Sequence, residues 1–276
     1  MRALRAALAA GAAGALVLAA GTVASGQGGA PSGGDATPVA AENPCHGPKR
    51  RVLACPNLRM RPPSDLFTSR TRHGRRLLHA TNSIDSRGAG PAELRGRRAS
   101  GKHYMEAVQA VHRRGSRKVY LLDTDAYLGF KHIPDQGGYW KFKDAARFEI
   151  WTLDPDDRPQ ELVRVGPKQY YCLRDLVHTR PGGRSPGSRV YPGCNQDPRR
   201  RRVTLGTSVG WSDVYPSTYH EQYIDVTGLR GRYGFLHVAD PENGIWETSE
   251  SDNAAMTIVS LPSGRGLGTR GPMPRP

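Results

Sequence analysis

Short runs of strand-forming residues, each followed by a turn signal, recur through the middle of this chain and constrain its fold most strongly. Glycine and proline make up one residue in five, which is too turn-rich for a helical bundle or a coiled coil. With 37% hydrophobic residues, the chain is also too apolar to be disordered throughout. The pattern predicts an all-β protein, a β-sandwich of about nine short strands. The predicted strands are 77–84, 118–122, 147–153, 161–165, 169–173, 203–205, 222–226, 233–239 and 256–261.

Residues 103–112 fit two different periods. Met105, Val108 and Val111 would lie on one face of a helix, whereas Met105, Ala107 and Val111 would lie on one face of a strand. The sequence leaves both alternatives open for this segment.

The two ends of the chain differ from its middle. Residues 1–24 read as a secretory signal peptide, because a basic start is followed by a short uncharged apolar run and then by small residues. A membrane anchor is the alternative, but the run is shorter than the ~20 apolar residues that span a bilayer. We therefore expect no membrane span. Residues 25–43 are predicted to be a flexible leader, 44–76 a basic and irregular arm, 77–261 the folded domain and 262–276 a disordered tail.

The cysteines are four in number, and an even count in an exported chain indicates disulfide bonds. Three pairings are possible, and proximity in sequence favours Cys45–Cys55 and Cys172–Cys194. The Cys172–Cys194 bond closes the longer loop, and it would stabilise the folded state by about 3 kcal/mol if it acts by restricting the unfolded chain. We expect a secreted protein, in an extracellular or cell-wall setting.

The net charge of +15 comes mostly from arginine, since only seven of the 40 basic residues are lysine. Such a surface attracts polyanions, which outside a cell means anionic envelope polymers such as acidic wall polymers, anionic lipid surfaces or extracellular proteins. A GC-rich genome also favours arginine over lysine, so charge alone predicts only an affinity for anions. The run from Arg199 to Arg202 has no aromatic residue within it and is predicted to be an exposed loop or a strand edge. We expect no specific nucleic-acid partner.

Five stretches of the chain carry a resemblance to a known family, namely LLHATNSIDSRGAGPAELRG (77–96), YWKFKDAARFEIW (139–151), VGPKQYYCLRD (165–175), GTSVGWSDVYPSTYHEQYIDVTG (206–228) and GRYGFLHVADPENGIWETSESDN (231–253). These stretches resemble the lysyl oxidase family in its secreted bacterial branch. They cover most of the predicted domain in the family's order. The resemblance implies an immunoglobulin-like β-sandwich and an extracellular location.

The resemblance also implies a chemistry. In this family a His-x-His-x-His run on a strand holds copper, and a tyrosine and a lysine combine into lysine tyrosylquinone, which oxidises primary amines such as protein lysine. Lys168 in GPKQYYCL and Tyr215 in WSDVYPSTYHEQYIDVT match the two cofactor-forming residues. The resemblance therefore implies that Lys168 and Tyr215 lie close together.

The copper-binding run does not match. Its three positions hold Gly137, Tyr139 and Lys141, none of which is histidine. Copper(II) prefers imidazole nitrogen, and a lysine must lose a proton with a pKa of ~10.4 before it can bind a metal. We therefore predict that the copper site is missing, that no cofactor forms and that Lys168 and Tyr215 are inactive.

Three hypotheses follow for the function. The chain is a non-catalytic, lysyl-oxidase-like binding module of the envelope, an active copper amine oxidase with relocated metal ligands, or an unrelated cationic β-sandwich. If it is an enzyme, it needs copper and lysine tyrosylquinone, and Asp213 or Glu221 could supply the base. The first hypothesis fits the sequence best.

Overall fold

The structure is a computed structural model that describes residues 42–276. All regular secondary structure in this part of the chain is strand, which confirms the all-β prediction. The predicted signal peptide and residues 25–41 of the predicted leader lie outside the described residues. The seventeen strands are β1 Leu53–Ala54, β2 Leu58–Met60, β3 Ser64–Arg70, β4 Arg76–Ser86, β5 Ala92–Arg97, β6 Tyr104–Arg113, β7 Val119–Ile133, β8 Gly137–Leu153, β9 Pro159–Val165, β10 Gln169–Tyr171, β11 Val177–His178, β12 Arg202–Thr207, β13 Trp211–Tyr215, β14 Tyr223–Asp225, β15 Gly231–Ala239, β16 Ala254–Leu261 and β17 Arg265–Met273.

Each of the nine predicted runs overlaps a strand, but residues 42–276 form seventeen strands rather than nine. The segment that fitted two periods is strand β6, in which Met105 and Ala107 are buried and Glu106 between them is exposed. Burial with a period of two is typical of a strand that covers a core with one face only.

The strands form two antiparallel sheets. In the larger sheet the order is β12-β5-β6-β7-β8-β15-β16-β17, with β1 paired to β6, and β9 and β10 paired to β8. In the smaller sheet the order is β11-β13-β4-β14, with β2 and β3 paired to β4. The long strands β7 and β8 therefore lie in the middle of the larger sheet, and β12 lies at its edge.

One hydrophobic core is shared by the two sheets. Trp140 and Phe148 of the larger sheet pack in the same buried cluster as Leu78 and Ile224 of the smaller sheet. A large apolar side chain that is removed from water in this way contributes about 1.5–3 kcal/mol. This shared core fixes the positions of β8 and β13, which carry the residues of interest for function.

The arm at 44–76, predicted to be irregular, contributes three strands. β2 and β3 pair with β4, and β1 pairs with β6. Leu58 and Met60 are buried on either side of the exposed Arg59. Three alternating residues between prolines are too few to be recognised as a strand from sequence. Strand β2 is identified by its pairing with β4.

The tail at 262–276, predicted to be disordered, contains strand β17. It pairs with β16 along Ala254–Ser260, and nearly all of its side chains are exposed. This strand is held by backbone hydrogen bonds to β16 rather than by an apolar face. Its composition of Gly, Arg and Pro therefore could not indicate a strand.

Two disulfide bonds join Cys45 to Cys55 and Cys172 to Cys194, with Cα–Cα distances of 5.9 and 5.4 Å. This is the pairing that sequence proximity favours. Two disulfide bonds are compatible with an extracellular protein. Within residues 42–276, no helix has the length and apolar character needed to cross a bilayer.

Candidate functional site

Tyr215 is a packed core residue at the end of β13. Its hydroxyl accepts a hydrogen bond of 2.8 Å from the backbone N–H of Cys172. Its ring stacks on Tyr171, with ring centroids 3.9 Å apart and an interplanar angle of 11°. Burial raises the pKa of the Tyr215 hydroxyl well above its ordinary value, so the side chain is a neutral phenol.

Lys168 lies in a different environment. Its side chain is 68% exposed, and its Nζ lies 3.1 Å from Oδ2 of Asp144. The hydrogen bond to Asp144 raises the pKa of Lys168 above its ordinary value. Among the described residues, Asp144 is the hydrogen-bond partner of the Lys168 amine, and no hydrogen bond joins Lys168 to Tyr215.

The cation beside Tyr215 is instead Lys141, on β8. Lys141 is only 1% exposed, and its Nζ donates a hydrogen bond of 3.2 Å to the hydroxyl of Tyr219. The same Nζ lies 5.4 Å from the ring centroid of Tyr215 and 5.1 Å from that of Tyr219. An ammonium over aromatic rings is attracted to their negative faces, which offsets part of the cost of burying it.

A buried carboxyl group completes this cluster. Asp213 of β13 is fully buried, and burial raises its pKa to about 7. Burial also lowers the pKa of Lys141 to about 8, although the charge of Asp213 acts in the opposite direction. The Nε atom of Arg174 lies 3.8 Å from Oδ1 of Asp213. We call Lys141, Asp213, Tyr215 and Tyr219 the lysine centre.

The two candidate bases have ion-pair partners. Asp213 faces Arg174, and Glu221 accepts a hydrogen bond of 2.9 Å from Nζ of Lys131. Glu221 is therefore held by a lysine at the surface, and Asp213 is enclosed in the core. With these partners and positions, Asp213 and Glu221 fit the role of structural ion pairs.

The three positions that match the copper-binding run do not form a copper site. Gly137 has no side chain, and the Tyr139 hydroxyl donates a hydrogen bond of 2.9 Å to the carbonyl of Gln136. The side chain of Lys141 is itself a cation, and it is buried in the core. Copper(II) needs neutral or anionic donors, so this set of groups does not fit the metal. Within residues 42–276, no three His, Cys, Asp or Glu side chains converge as a metal site requires.

A second site lies on the outer face of the larger sheet. It is a groove of about 1120 Å³, and five arginines line it. The run at 199–202, predicted to be an exposed loop or a strand edge, lies in an exposed loop and at the start of the edge strand β12. We call the five lining residues the arginine groove: Arg95, Arg97, Arg98, Arg201 and Arg202.

Strand register explains why these arginines meet. Arg202 of β12 lies directly opposite Arg97 of β5, and Arg97 lies opposite Glu106 of β6. Glu106 in turn lies opposite Tyr127 of β7. Residues that pair across strands point to the same face, so these four side chains form one row across the groove.

The arginines of the groove differ in how they are paired. Arg95 Nε lies 2.7 Å from Oε1 of Glu93, and Arg98 donates to the carbonyls of Pro198 and Arg199 at 2.9 and 2.8 Å. In the part of the chain that the structure describes, no acidic side chain forms an ion pair with the remaining three, Arg97, Arg201 and Arg202.

Sequence reasoning missed this groove as a site. The segment Ala92–Arg97 has arginine at alternate positions, Arg95 and Arg97, which is a signal for one charged strand face. The charged strand face becomes part of a groove only because β12 pairs with β5. The two strands are about 100 residues apart in the sequence, so local patterns do not reveal this pairing.

Comparisons with known proteins give no relative: no protein-family model matches the chain, and no curated protein matches it.

Proposed function

We propose that this chain is a secreted, non-catalytic binding module of the lysyl-oxidase-like type, with an immunoglobulin-like β-sandwich, and that it attaches to anionic polymers of the cell envelope. The arginine groove is the binding surface. The two disulfide bonds support an extracellular location.

One observation carries the proposal, namely the direct opposition of Arg97 and Arg202 on neighbouring strands. Like charges that face each other across a strand pair destabilise a sheet. A carboxylate, phosphate or sulfate group between the two guanidinium groups would remove the repulsion and form charge-assisted hydrogen bonds with both. The groove therefore favours an anionic ligand on energetic grounds.

The lysine centre supports the non-catalytic part of the proposal. Amine oxidation of the lysyl oxidase type requires copper beside the tyrosine, and here the buried amine of Lys141 lies over the ring of Tyr215. The exposed Lys168 is bound to Asp144. The groups that would make a quinone are thus occupied in other contacts.

Co-sedimentation with isolated bacterial cell walls tests the proposed function. The groove variant carries Arg97→Ala, Arg201→Ala and Arg202→Ala. The matched control carries Arg50→Ala, Arg51→Ala and Arg72→Ala, three exposed arginines outside the groove. Both variants lose three positive charges, so they differ only in where the charges were.

We expect the groove variant to remain in the supernatant and the control to sediment like the unaltered protein. Retention should also weaken as ionic strength rises from about 0.01 to about 0.15 M, because the screening length falls from about 30 to about 8 Å. Equal retention of the two variants would overturn the arginine groove as the binding surface.

A further inference from the structure

We infer that the ligand of the arginine groove is an acidic polysaccharide, a chain of sugar rings with carboxylate, phosphate or sulfate substituents. This inference rests on the proposed function and adds the chemical class of the polymer. It follows from what lies beside the arginines.

Two exposed tyrosines lie at the other side of the groove. Tyr127 is 41% exposed and lines the groove, and Tyr104 is 36% exposed. Their rings meet edge to face, with centroids 5.4 Å apart. The pair presents apolar ring surface to solvent, and such surface gains free energy when the C–H face of a sugar ring covers it.

The row of paired residues sets the spacing between charge and ring. From Arg202 through Arg97 and Glu106 to Tyr127 the row crosses four strands, a distance of about 14 Å at ~4.8 Å between strands. A ligand along this row meets two guanidinium groups at one end and an aromatic ring at the other. It therefore needs anionic groups and the C–H face of a sugar ring within one short segment.

Two carboxylates in the groove favour a polymer that carries hydroxyl groups over a polyphosphate. Glu106 lies in the middle of the row, between Arg97 and Tyr127, and Asp123 lines the groove beside it. Carboxylates repel a polyphosphate backbone at these positions. They accept hydrogen bonds from hydroxyl groups, which sugar rings carry and polyphosphate does not.

The test compares two polymers, polygalacturonate and inorganic polyphosphate, by equilibrium titration with the folded protein. The variant Tyr104→Ala/Tyr127→Ala removes the aromatic surface, and Tyr104→Phe/Tyr127→Phe keeps it. We expect the alanine variant to bind polygalacturonate about tenfold more weakly and the phenylalanine variant to bind it nearly as the unaltered protein does. Polyphosphate binding should be the same for all three proteins.

A second variant tests the carboxylate. Glu106→Gln removes the negative charge but keeps a hydrogen-bond acceptor, so polyphosphate should bind more tightly while polygalacturonate binding stays close to its original value. Unchanged polygalacturonate binding in the tyrosine-to-alanine variant would overturn this inference.

The groove variant separates the two levels of the proposal. If its loss of three arginines abolishes binding of both polymers while the tyrosine variants change nothing, the polysaccharide inference fails and the anionic-polymer function stands. If the groove variant binds both polymers normally, the proposed function itself fails.

Discussion

The buried amine of Lys141 makes a quantitative prediction about stability and pH. Its pKa falls from 10.5 to about 8 in the folded protein, chiefly because burial disfavours the charged form. A difference of this size corresponds to about 3 kcal/mol, since each pKa unit is worth about 1.4 kcal/mol.

The direction of the change in stability with pH depends on whether the folded or the unfolded chain binds the proton first as pH falls. As pH falls from about 10.5 to about 8, the unfolded chain takes up the proton and the folded protein does not, so the folded protein loses stability over this window. Above the window the lysine is neutral in both states and the penalty disappears. Below it the penalty is complete.

Replacement of Lys141 by methionine removes this titration and keeps the length of the side chain. Urea unfolding with intact disulfides, at pH 8, 9 and 10, measures the effect. Relative to the Lys141→Met variant, the unaltered protein should gain about 2 kcal/mol between pH 8 and pH 10. Tyrosines and other lysines titrate in both proteins and cancel in the difference.

Lys143 is the matched control, because it lies two residues further along β8 and its side chain is 43% exposed. Lys143→Met should leave the pH dependence unchanged. If Lys141→Met also leaves it unchanged, Lys141 is not a desolvated amine and the account of the lysine centre is wrong.

Two further predictions concern the same region. Tyr215→Phe removes the acceptor for the backbone N–H of Cys172 and should cost about 1 kcal/mol in urea unfolding; a variant as stable as the original would show that this hydrogen bond contributes nothing. Peptide mass mapping after incubation with copper and oxygen should find no crosslink between Lys168 and Tyr215. Detection of that crosslinked peptide would replace the non-catalytic account with an amine oxidase.

The strands with a regular alternation could be predicted from sequence. Strand β4 is an example, because Leu78, Ala80 and Ile84 recur with a period of two and all face the core. Strand β17 could not be predicted, since backbone pairing to β16 holds it and its exposed side chains carry no hydrophobic pattern. Local patterns therefore reveal strands whose residues alternate or favour a strand, and β17 has neither property.

The candidate sites show the same division. The resemblance described above predicts a metal-ligand position without histidine at Lys141, but nothing in the local sequence indicates that this lysine is buried. Its burial depends on Asp213, Tyr215 and Tyr219, which lie more than 70 residues later in the chain. The arginine groove likewise depends on the pairing of β12 with β5.

Arginine-selective labelling with phenylglyoxal, read out by peptide mass spectrometry, tests the binding role of the groove most directly. Saturation with polygalacturonate should protect Arg97 and Arg202 and leave Arg50 and Arg51 as reactive as in the free protein. If polymer binds and Arg97 and Arg202 react as fast as they do without it, the groove is not where this protein holds its ligand.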